Sequence, residues 1–371
     1  MLRRFSVSNF KSFERRMTFD LSDPANYGFN REVVREGTKT KGMVYGANGS
    51  GKSNLALAMF DIILHLTDKE KLLQKYYPYL CLDSKKPMAE FEYEFLFDGV
   101  EVVYRYGKTD PVTLVYERLS IGGEEVLSYD FAMRKGHVSL AGAESLMLSS
   151  ALPAETDKLS RVKFVRSNAI LQESAATRAF ISFVSFVDGM LMFYSLDERG
   201  YQGLSVGSDS FTRGIIREGK VVEFQRFLSA QGIDYELVSV DVNGLPELYC
   251  RFVETSVPFG SIASTGTKSL ALYYYWFIRM SEASLVFIDE FDAFYHFELS
   301  EAIVSMLKGV EDVQVFLTTH NTDLLSNDLL RPDAYFILKD GDVRSLDKLA
   351  EKELRAAHNI QKMFKAGTFD A

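Results

Sequence analysis

Apolar and polar residues follow two different rhythms along this chain. In EFEYEFLFDGVEVVYR, residues 90–105, they alternate at nearly every second position around an Asp-Gly pair. That is the pattern of a β-hairpin with one buried face. Elsewhere the apolar residues come in short unbroken runs: Met43-Val44-Tyr45, Leu285-Val286-Phe287-Ile288 and Val315-Phe316-Leu317. Each run ends in polar or glycine-rich residues, as strands of a parallel sheet covered on both faces do. A helical rhythm follows the first run, from Ser53 to about Leu66, and another precedes the second, from Leu270 to Met280. YFILKDGDVRSL predicts a closing hairpin across Asp340-Gly341. The apolar stretch Ile181 to Leu196 is interrupted by Asp188. It is shorter than the ~20 residues that cross a bilayer, so it predicts buried core. Residues 199–214 are glycine- and serine-rich and predict a loop.

Composition narrows this α/β picture. A chain of 371 residues can build one large core or two lobes. The start, MLRRFSVSNF, has basic residues but no apolar segment or cleavage site of a secretory signal. Cys81 and Cys250 are far apart and form no metal-binding spacing, which fits a reducing cytoplasm; with no run long enough to span a bilayer, no membrane partner is expected. The net charge of −9 argues against a surface built for nucleic acid. Arg3, Arg4, Lys11, Arg15, Arg16, Arg31, Arg35, Lys39 and Lys41 still gather near the start. They read either as solvated faces or as a local DNA-binding patch.

The chemistry sits at the ends of the apolar runs. After Tyr45 come Gly46-Ala47-Asn48-Gly49-Ser50-Gly51-Lys52-Ser53 and then Asn54, a match to GxxxxGK[ST] between a strand and a helix. Backbone N–H groups of such a loop, with the helix N-terminus behind them, make an anion nest. Lys52 can reach the β- and γ-phosphates of a nucleotide, and the Ser53 hydroxyl can ligate magnesium. The second run ends in Asp289-Glu290. Asp289 would complete a magnesium shell, and Glu290 would orient and deprotonate an attacking water. The third ends in Thr318-Thr319-His320, where His320 could contact the γ-phosphate or the water. Ser264-Thr265-Gly266-Thr267 opens a helix and is either a second anion site or an ordinary N-cap.

As a set, these motifs resemble the ABC-type ATPase heads of the SMC, RecF and OLD group. The order matches: phosphate loop, long insertion, signature, acidic strand tip, switch histidine. VSNFKSF, residues 7–13, looks like the first strand of those heads, which would bring Lys11 near the phosphates. ASTGTKSL looks like the signature loop, and FIDEFDAFYH like the acidic strand and D-loop, with Asp292 in the D-loop and His296 just beyond. TTHNTDLLSNDLLRPD and AAHNIQKMFKAGTFDA are similar to the bacterial RloA/AbiLi-type abortive-infection ATPases of anti-phage defence.

The resemblance implies a P-loop NTPase, an ABC-ATPase-like two-lobed head with a mixed β-sheet. Residues 1–120 would form the first lobe, 120–255 an inserted α-rich lid or arm, 256–345 the second lobe and 346–371 a tail. It implies ATP and Mg2+, the metal on Ser53 and Asp289, with Gln172 or Asn168 as the Q-loop ligand. It also implies a homodimer closed through two ATPs, with Ser264, Gly266 and Thr267 acting on the partner's nucleotide, and a separate effector protein. A DNA-repair or DNA-clamping head and a non-hydrolysing scaffold are the alternatives. "DGD" at 340–342 mimics a TOPRIM metal motif, but too few residues follow it for that domain, and a hairpin turn explains it.

Overall fold

The computed structural model describes residues 1–69, 73–146, 148, 158–194, 201–203, 211–293 and 297–369. Among these, the apolar runs assemble into a central sheet in the order 201–203, 190–194, 285–289, 314–319, 41–45, 335–339, 342–345. The five inner strands are parallel, and the two outer ones pair antiparallel at the edges. Side chains alternate to opposite faces of a strand, so one run serves two cores. Val44, Phe287, Phe316 and Phe336 enter one core; Met43, Tyr45, Val286, Ile288, Val315 and Leu317 enter the other. Burial on both faces is why the runs are unbroken.

The first core lies under a seven-stranded antiparallel sheet, order 135–138, 124–130, 114–121, 100–108, 89–97, 2–8, 17–20. Helices Lys52–Phe60 and Ala175–Asp188 fill the space beneath it. The 90–105 alternation is the hairpin of 89–97 with 100–108, with Asp98 and Gly99 at positive φ in its turn. The second core lies on the other face, under helices Val221–Ser229, Thr265–Phe277 and Phe297–Lys308. A three-stranded sheet, 236–242, 245–251 and 256–258, borders it. Phosphate-loop strand, following helix and parallel neighbours together make a P-loop NTPase fold.

Three expectations change in detail. The helix after the phosphate loop runs from Lys52 to Phe60, turns at Asp61-Ile62 and resumes at Ile63–Leu66. The break places the Asp61 carboxylate in the first core, where two tyrosine hydroxyls and Lys108 Nζ donate to it. The apolar stretch 181–196 holds the end of a helix and then the strand Met190–Tyr194, which pairs beside the acidic strand. Residues 120–255, expected as an inserted lid or arm, contribute to both lobes. Residues 124–138 extend the antiparallel sheet, 175–188 pack into the first core, and 190–194 is an inner strand of the central sheet.

Several of the early basic residues are paired with carboxylates or buried, while Arg15 and Arg31 are exposed. Arg4 meets Asp20 and Glu94, Arg16 meets Glu92, and Arg35 meets Asp312. Lys41 is buried and donates to the Val313 carbonyl at 2.6 Å. No described helix is long and apolar enough to cross a membrane.

Candidate nucleotide site

Sheet order brings the chemistry together. The strand 314–319 lies between the phosphate-loop strand and the acidic strand, in parallel register with both. Thr319 is level with Tyr45, and Leu317 with Ile288. Three carboxyl ends therefore meet at one edge: the loop after Tyr45, Thr318-Thr319-His320, and Asp289-Glu290. Ligands of open α/β sheets bind at that edge.

Backbone shape makes the loop. Gly51 stands at φ 106, and a Cβ there would lie 2.7 Å from Ser12 Oγ. A Cβ on Gly46 would lie 2.4 Å from Ser50 Oγ and 2.7 Å from the Leu338 carbonyl. Only glycine fits either position without a shift. Lys52 opens the helix, is 5% exposed, and donates to the carbonyls of Gly46 and Ala47 at 2.9 and 3.1 Å. Burial pushes its pKa below the usual lysine range, and the charges of Glu290 and Asp289 oppose that shift. A buried ammonium resting on neutral carbonyls is poised to take an anion. Ser50 Oγ is buried with no partner among the described residues.

Ser53 and Asp289 meet directly: Ser53 Oγ donates to Asp289 Oδ2 at 2.5 Å. Thr318 joins both acids. Its hydroxyl donates to Asp289 Oδ1 at 2.6 Å and accepts the Glu290 N–H at 2.7 Å. Glu290 sits in the left-handed region, φ 45, a conformation costing ~1–2 kcal/mol for a residue with a side chain. The Thr318 hydroxyl and the Phe291 N–H bond to the Thr318 carbonyl fix that turn. His320 faces the site at looser distances, with Nδ1 3.5 Å from Lys52 Nζ and Nε2 3.7 Å from Glu290 Oε1. Thr319 Oγ1 donates to Asp292 at 2.7 Å, and burial raises the pKa of that carboxyl.

The remaining predicted residues lie as follows. Asn48 and Gly49 are exposed at the loop tip. Asn54 Nδ2 donates to Ser12 Oγ at 2.9 Å, which ties the segment holding Lys11 to the start of the helix. Ser264 caps the helix Thr265–Phe277: its Oγ accepts the Thr267 N–H at 3.1 Å and lies 2.8 Å from Thr267 Oγ1. Ser264 is exposed and Gly266 half-buried. This helix packs in the second core, whereas the phosphate-loop helix packs in the first, so the central sheet separates the two helices. Asn168 donates back to the Phe164 carbonyl of its own helix at 2.8 Å. The Gln172 main chain is tied to Ala141 and Thr177. Neither enters the Ser53–Asp289 pair. His296 lies outside the described residues.

Sequence reasoning missed Thr318 and Ser12. The doubled threonine at a buried strand tip, where a hydroxyl must find a partner, was the available signal for the first. Nothing local marks Ser12.

A hydroxyl and a carboxylate in contact are hard oxygen donors suited to Mg2+, which is held by few protein oxygens together with phosphate oxygens. Among the described residues no cluster of three His, Cys, Asp or Glu could hold a metal alone. The donor set thus fits an ion arriving with a polyphosphate.

The family model described as "AAA domain, putative AbiEii toxin, Type IV TA system" matches residues 253–326. That segment holds Ser264 to Thr267, the strand Leu285–Asp289 and His320. Among curated proteins none matches. Solved structures similar to the chain include the SMC head domain from Thermotoga maritima. It is 16% identical, with a TM-score of 0.44 over 92% of this chain and 97% of that one. An Smc head bound to the C-winged helix domain of ScpA is 15% identical, with a TM-score of 0.47 over 94% and 98%. An Smc head with an extended coiled coil, bound to the C-terminal domain of ScpA derived from Pyrococcus furiosus, is 13% identical, with a TM-score of 0.48 over 94% and 97%.

Proposed function

We propose that this chain binds ATP with Mg2+ and hydrolyses it as a switch. The observation that carries the reading is the Thr318 hydroxyl, which holds Asp289 and Glu290 together at the tip beside Lys52 and Ser53. A structural cluster has no need to turn a glutamate into the left-handed region beside a buried lysine.

In this reading the triphosphate replaces the Gly46 and Ala47 carbonyls as the partner of Lys52. Mg2+, held by Ser53 and Asp289, would supply charge neutralisation at the phosphates. Glu290 takes a proton from a water whose oxygen attacks the γ-phosphorus. The bond to the β-phosphate oxygen breaks, and ADP leaves with that electron pair. His320, 3.7 Å from Glu290, is placed to contact the same water or the γ-phosphate.

Ser264, Gly266 and Thr267 open the helix on the opposite face of the sheet, which favours their use on a second copy's nucleotide. Two chains would then close over two ATPs and reopen when the γ-phosphate leaves, because the contact that favoured closure is gone. The likeness of the chain's end to abortive-infection ATPases is the ground for placing it in a bacterial anti-phage system that controls a separate effector; the matching family model is described by a toxin–antitoxin system. The net charge of −9 and the pairing of Arg4, Arg16 and Arg35 with carboxylates disfavour DNA clamping. Equilibrium binding of ATP to Lys52→Ala tests the assignment; an affinity equal to that of the natural chain overturns it.

A further inference from the structure

The segment Phe10–Phe13 and the loop Tyr76–Cys81 form one unit beside the phosphate loop. The Lys11 N–H donates to the Tyr79 carbonyl at 3.0 Å, and the Cys81 N–H to the Asn9 carbonyl at 3.3 Å. Lys11 Nζ donates to the Tyr77 carbonyl at 3.4 Å, and Lys11 itself is held in the left-handed region, φ 48. The Phe10 ring meets the rings of Tyr76 and Tyr79 edge-on, at 6.4 and 5.1 Å. Tyr76 and Tyr79 are 0% and 6% exposed, while Tyr77, between them, is 85% exposed. Two tyrosines fasten the loop and the third stands out from it. The core does not use that third ring.

The polarity of the site tells which end of a nucleotide would meet it. The sheet places Asp289 and Glu290 on one side of the phosphate-loop strand and the 335–345 hairpin on the other. The γ-phosphate belongs with Lys52 and the acids. Ribose and base must leave toward the hairpin side. Ser12 is on that side: it touches Asn54, and its carbonyl lies 3.8 Å from a Cβ placed on Gly341. Lys11 and the Tyr77 loop follow it directly.

We propose that Tyr77 is the stacking platform for the base of the bound nucleotide, mounted on a loop that Lys11 and Phe10 hold rigid. The proposal rests on the phosphate-loop reading above. A ring carried on a loop whose main chain is already held loses less freedom on binding, and stacking tolerates any purine because every base has a π-face.

The test uses the full chain and two ligands, ATP and inorganic tripolyphosphate, each with Mg2+, measured by titration calorimetry. Tyr77→Ala is expected to weaken ATP binding about tenfold and to leave tripolyphosphate binding unchanged. Tyr77→Phe should retain ATP affinity. Tyr77→Trp should report the stack as fluorescence quenched by ATP and not by tripolyphosphate; the natural Trp276 is buried. If Tyr77→Ala weakens both ligands equally, the ring is structural and the proposal falls. Unchanged ATP binding overturns it as well. Lys52→Ala should lose both ligands. Tripolyphosphate binding that survives in that variant overturns the phosphate-loop reading itself, whatever Tyr77 does.

Discussion

Two clusters in this molecule each set a buried lysine near acidic side chains and are finished differently. Beneath the antiparallel sheet, Asp61 accepts from Tyr79 Oη and Tyr106 Oη at 2.9 Å each and from Lys108 Nζ at 2.7 Å. Asp61 and Lys108 are both fully buried. At the carboxyl edge of the central sheet, Lys52 rests on two carbonyls, His320 stands 3.5 and 3.7 Å from its neighbours, and Ser50 Oγ has no partner among the described residues. The first cluster is closed by its own side chains. The second leaves contacts open at the distances where a ligand would complete them. Buried charge alone therefore does not point to a functional site; incompletely partnered charge at a strand edge makes a candidate.

The comparison can be broken most sharply at Glu290. Glu290→Gln should lower ATP turnover by ~10²–10⁴-fold while binding persists, and with ATP and Mg2+ the variant should run as a dimer by light scattering. A variant that stays monomeric rejects the closed pair of copies. Next comes the closed cluster. Lys108→Met leaves Asp61 buried without its cation and should cost ~3–5 kcal/mol in urea unfolding. Lys52→Ala should move the same unfolding curve far less while abolishing ATP binding. If the two variants trade these phenotypes, the distinction between closed and open clusters is wrong. Thr318→Val should cost ~1–3 kcal/mol, the penalty for leaving hydrogen-bond partners unmatched, and should depress turnover more than affinity. Ser264→Ala is the smallest: ~1 kcal/mol from the lost helix cap. In the dimer reading it also loses turnover in closed pairs without weakening ATP binding to single chains.

How much of this was legible from the sequence follows from the same geometry. Strands buried on both faces write themselves as apolar runs, so Met43–Tyr45, Leu285–Ile288 and Val315–Leu317 were visible with their polar tips. The strand Met190–Tyr194 was not, because an apolar helix runs into it and only Gly189 separates the two. The helix break at Asp61 carries neither glycine nor proline. There the Tyr106 hydroxyl and the Lys108 amine, 45 and 47 residues later on a strand of the antiparallel sheet, donate to the Asp61 carboxylate. Within the site, Lys52, Ser53, Asp289, Glu290 and His320 were legible as motif positions. Thr318 as the common anchor of both acids, and Ser12 against Gly51, depend on which strands become neighbours.

The strand order also sets a timetable. The strands from Ala89 to Val138 of the antiparallel sheet pair with their sequence neighbours and can form as the chain emerges from the ribosome. The phosphate-loop strand finds its partners only in residues 314–319 and 335–339. Until those residues are made, 41–45 has both edges unsatisfied and no carboxylate beside it. A nascent chain thus carries an early lobe and a late candidate site, whose strands are not all present until residues 314–339 have been made.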